Sequence, residues 1–146
     1  MTRINVVPVE ELSDQHLITE YRELPRVIKG NVSTADAPAC YCLGRGHVKW
    51  ARLHLKYLIM RYSDLVDEML YRGFNVSYYM SDLYHLADFM HGDKDIWHDY
   101  DVSEDDLQVN KDRLMRKYKL RPRWYRWTKR HKPDYYKEVD DAVECN

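Results

Sequence analysis

Between residues 16 and 26 a histidine, two arginines and a glutamate share one side of a helical wheel: His16, Arg22, Glu23 and Arg26, with Thr19 among them. These residue types suit charge chemistry. An arginine fork grips a phosphate or carboxylate through two parallel hydrogen bonds. A glutamate placed among such groups can take and return a proton and can stabilise positive charge that develops in a reaction. A further arginine, Arg3, stands ahead of this helix in the opening Met-Thr-Arg. Spacing alone does not lift the face above an ordinary wet surface, because any apolar stripe leaves a polar side behind it.

Two other groups invite chemistry. Cys40-x-Cys42 with His47 nearby resembles half a metal site, but a zinc site needs four ligands and no second pair follows. The plainer interpretation, two small residues in a loop, is favoured. The charge distribution says more than its total of −1. Lys111 to Lys132 holds eleven Lys or Arg against the single acid Asp112, whereas Asp82 to Asp106 holds nine Asp or Glu against the single base Lys94. A near-neutral total thus hides a basic end and an acidic middle.

The elements that position these residues read as helices. The 146 residues suffice for one domain with a real core, and 45% are apolar. Five Gly and five Pro, with few alternating runs, leave helical periodicity dominant. The first helix is predicted from an N-cap at Ser13 to about Lys29, stopped by Gly30. Leu17, Tyr21, Leu24 and Ile28 form its core stripe, and Pro25 inside it predicts a kink. Residues 30–46 read as a loop. A long second helix over 47–72, closed by Gly73, carries Val48, Leu53, Tyr57, Met60, Leu65 and Met69 as its apolar positions and reads as the central helix. A short helix is expected at "SDLYHLADFM", 81–90, followed by an acidic loop. A third clear helix starts at Ser103, where Ser103-x-x-Asp106 approximates a capping box, and ends before Pro122. The expected fold is all-α: a compact single domain over 1–146, about three main helices with long connecting loops, and a tail over 128–146 that is basic and aromatic, then acidic. No run of eighteen apolar residues and no basic-then-apolar leader pattern is present, and Cys40, Cys42 and Cys145 make no disulfide framework. A reduced, cytoplasmic setting is expected.

Particular stretches resemble a known family. "MTRIN" at 1–5, "DQHL" at 14–17 and "EYRELPRV" at 20–27 are similar to the pyrimidine-dimer DNA glycosylase/AP lyase family, the phage-type endonuclease V of ultraviolet-damage repair. "LGRGHVKW" at 43–50, "RGFNV" at 72–76 and "RPRWY" at 121–125 follow in the family's order. The resemblance covers roughly residues 1–29, 43–76 and 103–127; the N-terminal block is the specific part.

The resemblance implies a helical enzyme that cuts the glycosidic bond of a cyclobutane pyrimidine dimer in double-stranded DNA and then nicks the strand, with no metal and no organic cofactor. It implies Thr2 as nucleophile, through the α-amine exposed when Met1 is removed, and Glu23 as its catalytic partner. The residue chemistry is compatible. An α-amine has a reference pKa near 7.7–8.0 against about 10.4 for lysine, so it is already partly nucleophilic at neutral pH. Positive charge at Arg3, Arg22 and Arg26 disfavours its protonated form. An imine at the sugar C1′ then activates the C2′ proton for β-elimination. Glu23 can equally be an ion-pair partner of Arg26 or Arg22. Arg3, Arg22 and Arg26 are expected on phosphates, with His16 beside them. His47 matches a further DNA-binding position, or packs in its loop. Arg113 and Lys117, four apart, face DNA together and Arg121 extends that surface. Trp124 and Tyr125 either stack on bases or anchor the tail.

The chain also departs from the family. Its 30–43 connection holds no Lys or Arg and one acid, Asp36, where family members are usually longer and basic here. Fewer phosphate contacts imply weaker sliding on undamaged DNA. The acidic stretch 82–106 is read as facing away from DNA or restricting what approaches, and residues beyond 128 match nothing. The rival expectations are the same machinery for another lesion, and a non-catalytic helical DNA-binding protein. A monomer without membrane contact is expected.

Overall fold

The computed structural model describes residues 4–30, 33–77, 85, 87, 88, 90 and 92–144. Met1, Thr2, Arg3 and Cys145 therefore lie outside the described residues, as does most of the short helix expected over 81–90.

Ser13 caps the first helix, α1 (Asp14–Lys29), by accepting the His16 N–H on its hydroxyl at 3.1 Å. Leu17, Tyr21, Leu24 and Ile28 are all buried, as their spacing predicts. A leucine or isoleucine so buried contributes roughly 1.5–3 kcal/mol. The helix runs on past Pro25, itself buried, to Lys29. Gly30 ends it with φ −73°, so the stop does not use the left-handed freedom of glycine. Arg52 closes this end instead, donating to the Val27 and Ile28 carbonyls.

The long second helix is two helices, α2 (His47–Leu53) and α3 (Leu55–Tyr71), which corrects the single helix expected over 47–72. The break is at His54, with φ −125° and ψ 53°. Neither Gly nor Pro marks it. The first donors of α3 are taken from outside: Leu55 N–H bonds to Ile96 O at 3.0 Å and Tyr57 N–H to His98 O at 3.2 Å. The His54 ring holds Trp50 O through Nδ1 at 2.8 Å. α3 packs along α1 with Leu55, Leu58, Ile59, Tyr62, Leu65, Val66 and Met69 buried. Met60 sits opposite that stripe and is exposed, against its expected place in the core. At the far end Gly73, with φ +86°, gives its N–H to Leu70 O while Phe74 N–H reaches Met69 O, the paired bonds of a Schellman motif.

The third predicted helix is α4 (Glu104–Leu120), with the complete capping box of Ser103 and Asp106. A last helix, α5 (Lys137–Glu144), follows a 3-10 turn over Asp134–Tyr136. The described residues thus hold five α-helices and no strand. No helix among them is long and apolar enough to cross a membrane.

Beneath the helices runs segment 4–12, which is non-helical up to Pro8 and forms a 3-10 turn over Val9–Glu11, and which supplies Ile4, Val6, Val7, Val9 and Leu12 to the core. Having no strand partner, its backbone is satisfied by side chains. Asn110 of α4, fully buried, accepts from Val6 N–H at 2.7 Å and Val7 N–H at 3.0 Å. A buried bidentate pair joins Arg61 of α3 to Glu20 of α1 at 2.8 and 3.1 Å, and the same guanidinium donates to Val7 O. Burial opposes the Arg61 charge, but the Glu20 carboxylate outweighs it and holds the pKa above its ordinary value.

Candidate functional site

The chain enters the described structure through Ile4, whose two backbone groups are both held by side chains. Its N–H donates to His47 Nε2 at 2.8 Å and its carbonyl accepts the Tyr41 hydroxyl at 2.8 Å. His47 Nδ1 lies 2.7 Å from Cys42 O, so the ring is the neutral Nδ1–H tautomer, accepting at one nitrogen and donating at the other. Gly46 turns the loop into α2 with φ +92°, and a Cβ there would meet Pro38 Cγ at 2.9 Å. The next residue, Asn5, places its side-chain amide on Glu20 Oε1 at 2.8 Å. The N-terminal segment therefore lies against α1 at Glu20, one turn before Glu23.

On the polar face of α1, Arg26 donates to Glu23 Oε1 at 3.1 Å. The Arg26 side chain is 73% exposed and that of Glu23 26%, so this is a surface pair of modest worth that either partner can leave. Arg22 is exposed beside them. A groove of about 510 Å³ follows this side of the helix, lined by Tyr21, Arg22, Pro25, Arg26, Lys29, Gly30 and Ser77. Ser77 N–H is fixed to the Tyr21 hydroxyl at 2.9 Å, which ties the far wall to α1. Three cations, Arg22, Arg26 and Lys29, border one trough whose floor includes a tyrosine and a proline; such a surface suits a phosphate backbone beside a flat apolar ring.

A second group forms at the other end of α1. The 124–128 segment docks there through Asp14 N–H to Arg126 O at 2.7 Å, Gln15 Nε2 to Trp124 O at 2.7 Å and Arg126 N–H to Gln15 Oε1 at 3.1 Å. His16 thereby stacks on Tyr125, ring centroids 4.9 Å apart and planes 18° from parallel. Arg121 lies over the Trp124 ring at 4.5 Å. Burial lowers the His16 pKa from 6.5 to about 4, and the charges of Arg113 and Lys117 add to that effect. His16, Arg113, Lys117, Arg121, Trp124 and Tyr125 thus come from α1, α4 and the following turn to one surface. Tyr125 is half-buried and packs on protein rings, while Trp124 is 46% exposed.

The structure does not gather every residue that the sequence singled out. His47 is 1% exposed, and its nitrogens serve the protein interior. Thr2 and Arg3 lie outside the described residues. Within 111–132, Arg130 is paired with Glu68 at 2.8 Å and Lys132 with Asp140. No group of three or more His, Cys, Asp or Glu that could hold a metal occurs among the described residues. Conversely, Asn5, Glu20, Lys29 and Tyr41 help build the site without having been singled out. Lys29, three residues beyond Arg26 on the same helix, was readable from helical spacing. Glu20 falls 60° from Glu23 on the wheel, but only its partner on α3 shows that it is a buried structural charge.

Among known proteins, the family model described as pyrimidine dimer DNA glycosylase matches residues 1–82. That span includes segment 4–12, the whole of α1 with Glu23 and its arginines, the 41–47 loop and α3. Matching over more than half of the chain, it agrees with the resemblance carried by the N-terminal block: the chain belongs to the pyrimidine dimer DNA glycosylase family.

Proposed function

We propose that this glycosylase is also an AP lyase and acts on cyclobutane pyrimidine dimers in duplex DNA through the α-amine of Thr2, freed by removal of Met1. The amine nitrogen bonds to C1′ as the glycosidic bond breaks, and that electron pair leaves with the base, which takes up a proton. The nitrogen loses a proton and its lone pair forms the second bond to C1′ as the C1′–O4′ bond breaks; that bond's electrons go to O4′, which takes up a proton, and the product is the imine. Glu23 stabilises the developing positive charge and then removes the C2′ proton; the C3′–O bond breaks and the phosphate leaves with its electrons. Water hydrolyses the imine and returns the amine. Arg22, Arg26 and Arg3 hold phosphates, as do Arg113, Lys117 and Arg121 further along, and His16, Trp124 and Tyr125 shape the surface at the far end of α1. Extruding a poorly stacked, damaged nucleotide costs less than extruding an intact one.

The observation that carries this reading is the anchorage of Asn5 on Glu20, one turn before Glu23. With Ile4 held, covalent geometry keeps the Thr2 nitrogen within about 7 Å of the Ile4 nitrogen. This supports a reading in which the amine reaches the Glu23 carboxylate. The test is product analysis on a duplex with one defined thymine dimer: a nicked strand ending in an unsaturated aldehyde, with a 5′ phosphate on the other fragment, is the expected outcome. Base release with an intact strand would remove the lyase half. The 30–43 connection, free of Lys and Arg, favours one second reading, in which abasic sites are cut faster than dimers; an abasic duplex in the same assay decides between them.

A further inference from the structure

We propose that His47 and Tyr41 are positioning residues: they clamp both backbone groups of Ile4 and so set where the Thr2 amine meets the sugar. This rests on the amine reading above. Ile4 is fully buried, and its N–H and C=O go to two side chains, that of His47 at the start of α2 and that of Tyr41 in the loop before it, at 2.8 Å each. An extended segment without a strand partner needs only to have those groups satisfied, and a water or a neighbouring carbonyl would serve. Here the two partners are themselves fixed. His47 is locked by Cys42 O at 2.7 Å. Tyr41 N–H donates to the Tyr100 hydroxyl at 2.8 Å, which donates to Asp106 Oδ2 at 2.6 Å. Asp106 belongs to the capping box of α4, so a chain of bonds runs from a helix terminus to Ile4. The rings pack as one body: Tyr41 meets the Trp50 ring edge-on at 5.0 Å, and His47 stacks on it at 6.1 Å.

The nucleophile is a main-chain amine and has no side chain to orient it. Its position follows from the backbone after it, and Ile4 is where the described backbone is first gripped. Misplacing a reacting group by 1 Å can cost about 100-fold in rate. His47, buried and with both nitrogens engaged, acts on the amine through Ile4 and not by touching DNA.

The test compares wild type, His47→Ala, His47→Gln, Tyr41→Phe and the core variant Leu65→Ala. Each is checked for folding by circular dichroism and assayed well below its melting temperature. Single-turnover nicking of a dimer duplex, borohydride trapping on an abasic duplex and dimer-duplex Kd are measured. His47→Ala is expected to lose about 10- to 100-fold in both rates with Kd within about twofold. His47→Gln, which keeps an acceptor and a donor, should recover part of that loss. Tyr41→Phe keeps the ring and removes only the bond to Ile4 O; it should lose several-fold. Leu65→Ala, destabilised but far from the clamp, should keep wild-type rates. If His47→Ala does not fold, Tyr41→Phe decides. Wild-type rates in a folded His47→Ala or in Tyr41→Phe overturn the clamp, and so does a rate loss matched by an equal loss of affinity. A wild-type protein that forms no adduct on either duplex overturns the amine reading instead, which keeps the two failures distinct.

Discussion

The Ile4 N–H donates to His47 Nε2 across 2.8 Å and ties the start of the described chain to the first residue of α2, 43 positions away. The next residue, Asn5, is tied to Glu20 of α1. Two adjacent residues are thus secured to two different helices, Ile4 to the start of α2 and Asn5 to the buried Glu20 of α1.

Glu23 is partly exposed, pairs with the exposed Arg26 and is not among the buried core residues, so a neutral isostere there leaves the core intact. Glu23→Gln is expected to bind a dimer duplex within a few-fold of wild type while single-turnover nicking falls at least about 100-fold, the lower range of what a positioned proton-transfer group contributes. Fluorescence anisotropy and a gel-based nicking assay measure the two quantities on the same duplex. Unchanged nicking would remove Glu23 from the chemistry.

Arg26 borders the groove with an almost free side chain. Arg26→Gln should weaken dimer-duplex binding and make log Kd against log salt shallower by about one unit, the signature of a lost phosphate contact. Arg130 is engaged by Glu68 in a bidentate pair at 2.8 and 2.9 Å, and Arg130→Gln should leave that slope unaltered. Titrations at four salt concentrations separate the two.

His16 predicts a pH dependence of stability. Burial, then Arg113 and Lys117, brings its pKa down from 6.5 to about 4. The unfolded chain takes up this proton near pH 6.5 and the folded one only near pH 4. Between those values the unfolded state binds more protons, so stability rises with pH there. The contribution is complete above pH 6.5 and is lost as pH falls towards 4. Urea midpoints for wild type and His16→Asn at pH 7.5, 5.5 and 4.5 should converge as the pH drops. A constant gap would contradict the assignment.

The C-terminal part is held to the matched part by charges with little exposure to water. Arg72 bonds to Asp14 at 2.9 Å and to Glu68 at 2.8 Å, Arg130 reaches Glu68, and Thr128 donates its hydroxyl to Asp14 at 2.6 Å. Burial works against the Glu68 charge, but the two arginines overcome it and lower its pKa. Arg72→Ala leaves Glu68 to Arg130 and Asp14 to Thr128 and removes two charged hydrogen bonds; it should cost about 1.5–3 kcal/mol in urea unfolding, against at most about 1 kcal/mol for the exposed Arg26→Ala.

What sequence could and could not reveal divides by range. Ser13, Gly73 and the Ser103–Asp106 box act within one turn of their own helices, and each sits where local chemistry predicts. The break at His54 was not legible, because the groups that replace its helical bonds, Ile96 O and His98 O, are about forty residues away. The buried role of Asn110 was hidden for the same reason: its partners are Val6 and Val7, more than a hundred residues earlier. At the site, Glu23 and its arginines were legible as one helical face. The tie of the N-terminal segment to Glu20 of the same helix was not, since Asn5, Glu20, Arg61, Tyr41 and His47 meet only in the fold. The burial of Ile4, Val6, Val7 and Val9 was not read from the sequence either, because nothing local says what that segment packs against.

Borohydride trapping, with the native N-terminus verified by mass to have lost Met1, addresses the central claim most directly. Three duplexes are compared: undamaged, abasic and thymine-dimer-containing. A reduced covalent adduct on the dimer duplex, mapped to Thr2 by peptide sequencing and abolished when the terminal amine is blocked, is the result expected. No adduct on the dimer or abasic duplex, or an adduct mapped to a lysine, would contradict it.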